Sequence, residues 1–173
     1  SCTQAEQEAA LRALVFDAVV LATALDALSR DGKPQNDVGR GEDQLAVETA
    51  LIKFRSLYDF LQPENPRKDD LVVTDFVDKY DFTMPNADKF RTSVNKYSAH
   101  LTWTRTKEQW DDAFLPRSDS LRDPCERVLK AAWDVISEAI SKGYRLNNYG
   151  QKYYKRLNER MSALGQSPEN PLE

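Results

Sequence analysis

The sequence predicts an all-α fold, a helical bundle of four to five main helices. Three observations carry that expectation. Apolar residues recur at spacings of three and four through several long stretches. Helix start and stop signals flank those stretches. Strand signals are nearly absent, apart from one β-branched run, "LVVTDF". A chain of 173 residues suits one domain that builds its own core. The expected organisation is a single all-α domain over residues 1–165 and a disordered tail over 166–173, "QSPENPLE".

The first helix is expected from Thr3 to Arg30. Thr3 and Glu6 have the spacing of a capping box, and Asp31, Gly32 and Pro34 end the run. Its apolar residues cover more than one face, which places it centrally. "DGKPQNDVGRG" reads as a loop. A second helix follows from Asp43 to Leu61, with Ala46, Ala50, Phe54, Leu57 and Leu61 on one stripe. Prolines in "QPENPRKDD" end it. "LVVTDFVDKYDF" fits a strand or a short helix, and the helix, capped by Asp69 or Asp70, is the expectation adopted. Asn86 starts a third helix through Phe90, Val94, Tyr97 and Leu101. Asp123-Pro124 with Glu126 marks the start of the next, which runs past Val128, Ala132, Val135, Ile136, Ala139 and Ile140 to Gly143. The last helix spans Asn147 to Leu164.

The net charge of −4 points to neither DNA nor an acidic membrane as a partner of the whole chain. The distribution is uneven. Residues 1–84 hold 9 Lys/Arg and 16 Asp/Glu, and residues 85–173 hold 15 and 12. The basic half permits an anionic ligand. Cys2 and Cys125 form no disulfide framework and no metal-ligand spacing, so a cytoplasmic location is expected. Asp17 and Asp26 interrupt the longest apolar run, which fits a buried helix better than a membrane span. No signal peptide is visible, although the chain begins with Ser and a trimmed start stays open.

His100, the only histidine, lies in "VNKYSAHLTW". With His100 set to zero on a helical wheel, Phe90, Val94, Tyr97 and Leu101 cluster at about 60° to 120°, the core stripe. Lys89, Lys96 and Trp103 fall within about 60° on the other side. The imidazole therefore stands at the rim of the buried face, beside cations and an indole. Such a set suits phosphate chemistry: ammonium groups attract the anion, a ring stacks on a base, and imidazole titrates near neutral pH. Lys96, one turn before, would lower the imidazole pKa by like-charge repulsion. The competing interpretation is a half-buried helix histidine among solvated lysines.

"NKYSAHLTW" resembles the signature helix of the HEPN superfamily, helical-bundle proteins of prokaryotic toxin–antitoxin and abortive-infection systems. The similarity is to the branch whose signature reads Arg-Asn-Lys, three residues, then His-Leu. It implies a metal-independent endoribonuclease site, composite across a homodimer, and a possible antitoxin-like protein partner. Carried over, Asn95 takes the polar position and His100 the histidine position. The Arg position falls on Val94, which lies on the core stripe and cannot hold a phosphate. Arg91 is about 180° from His100, whereas Lys96 or Arg105 offers a cation in another geometry.

"YRLNNYGQKYYKRLNERM" interleaves Lys152, Lys155 and Arg156 with four tyrosines. Basic residues with rings suit single-stranded RNA. The plainer interpretation is a terminal helix with Tyr149, Tyr153, Leu157 and Leu164 packed inward and the basic face in water. Adjacent carboxylates such as Asp69-Asp70 and Asp111-Asp112 make poor acid/base pairs. No zinc site, phosphate-cradling glycine loop or Ser-His-Asp signature is present, and neither metal nor cofactor is expected.

Three functions stay open. The one placed first is a HEPN-like domain of a defence or toxin–antitoxin system that binds RNA or a protein partner and has lost catalysis. The second is an active metal-independent endoribonuclease, with His100, Asn95 and Lys96 as its catalytic set and Lys89, Trp103, Arg105, Lys152, Lys155 and Arg156 on the RNA. The third is a homodimeric scaffold without a nucleic-acid role. Whether the chain is an enzyme is left undecided by its residues.

Overall fold

The computed structural model describes residues 3–29, 37–67, 70–87, 90–92, 94 and 118–164, with side chains from residue 45 onward in the second helix and from 121 in the third. These residues form α1 (Gln4–Leu28), α2 (Asp37–Leu61), α3 (Ser118–Ser141) and α4 (Asn148–Ala163), plus a short 3-10 turn at Val73–Asp75. No strand occurs among the described residues, and the fold is an all-α bundle.

α1 is the central helix. Its capping box forms as the spacing requires: Thr3 Oγ1 accepts from the Glu6 N–H at 3.3 Å, and Glu6 Oε2 accepts from the Thr3 N–H at 2.7 Å. Leu11, Leu14, Val15, Ala18, Val19, Leu21, Ala22, Ala24 and Leu25 are all buried and cover more than half of the helix circumference. Alanines at 18, 22 and 24 bring the neighbouring backbones close, and α2, α3 and α4 all pack on α1. Phe54 and Leu57 of α2, Leu121, Leu129 and Ile136 of α3, and Tyr154 and Leu157 of α4 complete one continuous core. Each such side chain removed from water stabilises the fold by about 1.5–3 kcal/mol.

α4 runs parallel to α1. Glu8, Arg12, Phe16 and Asp26 meet Arg145, Gly150, Tyr153 and Arg160 in that order. It runs antiparallel to α3. Ser137 and Trp133 face Tyr154 and Asn158 across that seam, with hydrogen bonds of 2.9 and 2.7 Å.

Several sequence expectations need correction. α2 begins at Asp37, six residues before the expected Asp43, and takes Gly39 and Gly41 into the helix. Each glycine costs about 1 kcal/mol in a helix interior, which a long downstream nucleus tolerates because adding a residue to an existing helix is easy. α3 begins at Ser118 and carries Pro124 inside it, so Asp123-Pro124 is not its start. Leu121 before the proline and Cys125 after it, both fully buried, hold that turn against the core. Asp123 pairs with Arg127 instead.

The expected helix at "LVVTDF" is only the 3-10 turn. Val73, Phe76 and Val77 are buried there at helical spacing, but the hydrogen bonding closes a single turn, and Phe82 is buried on the irregular segment beyond it. Asp70 accepts from the Arg67 N–H and Asp75 from the Val72 N–H, so the acids shape turns instead of capping a helix. The stop at Gly143 is as expected, with φ +97° in the left-handed region that glycine favours. α4 also begins as expected, with Asn147 Oδ1 accepting from the Gly150 N–H at 2.9 Å. Residues 165–173 lie outside the described residues.

Candidate functional site

Most of the histidine segment lies outside the described residues, Asn95, Lys96, His100 and Trp103 with it, and so do Lys89 and Arg105. Helical backbone is present at Ala87, at 90–92 and at Val94. Asn86 sits at φ +56°, and its carbonyl accepts from the Phe90 N–H. Val94 is 1% exposed and belongs to the core, on the stripe where the helical wheel places it. Arg91, three residues before Val94, is held elsewhere. Its guanidinium contacts Glu64 Oε1 at 2.5 Å and Asp59 Oδ1 at 3.1 Å and lies over the Tyr58 ring. The two carboxylates raise its pKa against the opposing effect of burial, so it is a fixed cation.

Arg91 borders a groove of about 600 Å³ between α1, α2 and the segment after α2. Leu14, Leu57 and Phe60 line it together with Asp17, Asp59 and Glu64. Most of its acids are already matched. Asp17 holds the Lys53 ammonium at 2.6 Å and accepts from the Ser56 hydroxyl at 3.0 Å. Asp59 lies between Arg91 and Arg55. Counted with Lys53 and Arg55, the groove's acids Asp17, Asp59, Glu64 and Asp70 exceed its cations by one, so it offers no seat for an anion.

The outer face of α4 differs. Gly150, Tyr154, Leu157 and Met161 are its buried residues, at i, i+4, i+7 and i+11. Centring the wheel on them turns Lys152 directly outward, with Lys155 about 50° to one side and Arg156 about 50° to the other. All three are exposed, as the sequence suggests. Arg160 is not part of this face. It is 13% exposed and reaches Asp26 of α1 at 2.6 Å and Glu126 of α3 at 3.9 Å. The Arg160 Nε–H is not aimed at an acceptor, so the contact with Asp26 is one of charge more than of an aligned hydrogen bond.

Elsewhere, carboxylates hold Lys53, Arg55, Arg91, Arg122, Arg127, Lys130 and Lys142. Lys152, Lys155 and Arg156 have no ion-pair partner among the described residues, and the same is true of Arg12 and Arg145 beside them. Gly150 is what allows this gathering. A Cβ there would stand 3.2 Å from Arg12 Cγ and 3.1 Å from Leu146 Cβ, so the missing side chain lets the first turn of α4 close on α1. The Arg145 N–H donates to Glu8 Oε1 at 3.1 Å, which fixes the approach to α4.

The tyrosines fall differently from the sequence expectation. Tyr149, expected inside, is 75% exposed. Tyr154 is the buried ring, with its hydroxyl 2.9 Å from Ser137 Oγ. Tyr153 is half-buried at the edge, 5.5 Å from the Phe16 ring in an edge-on contact. The signal for this register was present: Gly150 and Met161 extend the stripe of Tyr154 and Leu157, which leaves Tyr149 outside. Arg12 was missed because it lies on another helix, far away in sequence.

Cys125 is buried, and that burial, with the Glu126 charge, pushes its thiol well above the usual range, so it is no nucleophile. No group of three or more His, Cys, Asp or Glu among the described residues is placed to hold a metal ion. No helix among them is long and apolar enough to cross a membrane. Among the described residues, fold and surface define a helical bundle with a basic outer face on α4. Comparison with protein-family models, with curated proteins and with solved structures finds no match for this chain.

Proposed function

We propose that the chain is a HEPN-like helical domain that binds RNA and does not cut it. One observation carries the binding half of this reading. Lys152, Lys155 and Arg156 stand exposed on α4 with no carboxylate partner among the described residues, while Lys53 and Arg55 of α2 and Arg122, Arg127 and Lys130 of α3 are paired with neighbouring acids. Unmatched cations on a rigid helix attract a polyanion, and releasing the counterions around its phosphates drives the association. Burial of Val94 supports the other half. At the position where the resemblance asks for a phosphate-holding Arg, the side chain is in the core, and Arg91 is engaged by Asp59 and Glu64. A protein partner and a place in a defence or toxin–antitoxin system follow from the resemblance alone.

The test is fluorescence anisotropy of a labelled RNA oligonucleotide across a salt series, with gel analysis of the same RNA. Three phosphate contacts correspond to a slope of about −2 in log affinity against log salt. The triple variant Lys152→Glu, Lys155→Glu, Arg156→Glu loses binding and keeps the helical circular dichroism spectrum, and the RNA stays intact throughout. Cutting that His100→Ala removes would make the chain an active nuclease. Failure of the unaltered protein to bind RNA at low salt would sink the reading.

A further inference from the structure

From the exposure of the Tyr149 ring beside the basic face of α4, we infer that Tyr149 is a stacking platform for an unpaired base and that the site prefers unpaired nucleic acid to duplex. This rests on the RNA-binding reading and specifies its substrate. Tyr149 lies in the first turn of α4, on the same flank as Arg156 and Tyr153, at i, i+4 and i+7. It is 75% exposed, an unusual position for a large ring beside a folded core. Tyr153 and Phe16 continue an aromatic edge from it along the α1–α4 seam. Lys152 and Arg156 stand about 6 Å apart along the axis on the outward side, and Arg12 and Arg145 lie at the near end of the helix.

Cations therefore flank a free ring, the combination that grips a single strand through its backbone and one splayed base. A duplex keeps its bases stacked inside, and nothing in it meets Tyr149. A simple polyanion meets only the cations. Neutralised acids elsewhere on the described surface, including those of the groove beside α2, give a nucleic-acid strand no comparable seat.

The experiment compares full-length protein with its Tyr149→Ala and Tyr149→Phe variants on three probes: a single-stranded RNA of about 12 nucleotides, the matching duplex, and inorganic polyphosphate. The unaltered protein binds the single strand more tightly than the duplex. Tyr149→Ala weakens single-strand binding about 5- to 150-fold, the range for loss of one stacked base, and leaves polyphosphate binding within about two-fold because no cation is removed. Tyr149→Phe keeps the single-strand preference, since the ring remains. Equal affinity of Tyr149→Ala and the unaltered protein for the single strand overturns the stacking inference and leaves RNA binding standing. An equal loss of polyphosphate binding in Tyr149→Ala overturns it as well. Absence of binding to any RNA by the unaltered protein overturns the underlying reading and this inference with it. The exposed ring makes few packing contacts, so matching circular dichroism spectra of the three proteins verify the fold.

Discussion

The groove beside α2 and the outer face of α4 contain the same kinds of charged residue and behave oppositely. In the groove, Lys53 lies on Asp17, and Arg91 bridges Asp59 and Glu64 over the Tyr58 ring. Every cation there has an acid within reach, and the field outside is weak. On α4, Lys152, Lys155 and Arg156 point outward with Glu159 as the only acid on their face. The difference lies in geometry and not in composition. An Arg or Lys contributes to partner binding only where the fold places no carboxylate against it, and α4 satisfies that condition because its neighbours α1 and α3 meet its other sides. Arg160 makes the point within one helix: a single turn beyond Arg156, it is drawn to Asp26 and Glu126 and leaves the binding face.

Substitutions can break or sharpen this contrast. The largest stability effect is expected at Arg160→Ala, about 1–2 kcal/mol, from loss of its paired charge and of its packed alkyl chain. Chemical denaturation measures it, with Arg156→Ala within about 0.5 kcal/mol as the internal control. RNA affinity should rank the pair in the reverse order. If Arg156→Ala destabilises more than Arg160→Ala, the assignment of the two residues to seam and surface is wrong.

Tyr154→Phe should cost about 1 kcal/mol through the hydrogen bond with Ser137, while Tyr149→Phe should leave stability unchanged. Arg91→Ala should cost about 1 kcal/mol, a modest value because Asp59 and Glu64 are partly in water. It should also leave RNA affinity as it was, since the groove takes no part in binding.

The smallest effect at neutral pH is an alkaline one. Burial, with the Glu126 charge, raises the Cys125 thiol. Burial, with the charges of Asp134 and Glu138, raises the Tyr80 hydroxyl, which donates to the Ala131 carbonyl. Both groups keep their proton in the folded state after the unfolded chain has released it, so stability is full below the unfolded values and declines as pH rises above about 8.5. Cys125→Ala should make that decline shallower in denaturation midpoints measured from pH 7 to 10, and an unchanged slope would contradict the burial of the thiol.

The helices themselves were legible because their signals are local. Thr3 with Glu6, Asn147 at the head of α4 and Gly143 after α3 all act within one turn, and each does what its spacing implies. The stripe from Val128 to Ala139 is buried as its periodicity requires. Misjudged boundaries came from equally local signals overruled at a distance. Pro124 looks like a helix start until Leu121 and Cys125 are seen anchored together in the core. The glycines before Leu45 look like a loop until the length of α2 is known. Among the tyrosines the helix was legible and the register was missed: a run of four rings offers two inward faces, and it is Gly150 and Met161, extending the stripe of Tyr154 and Leu157, that single out Tyr154, whose hydroxyl meets Ser137.

The sequence alone determined that this chain forms a helical bundle with basic character toward its C-terminal half, because backbone hydrogen bonding, capping and apolar period are written within a few residues of each other. Tertiary structure alone decided which cations are neutralised and which face outward. That depends on whether a carboxylate from a helix many residues away arrives within about 4 Å, where the attraction between opposite charges reaches about 1–4 kcal/mol and largely cancels the cation's outward field. Asp26 reaches Arg160, and no acid among the described residues reaches Lys152 or Arg156.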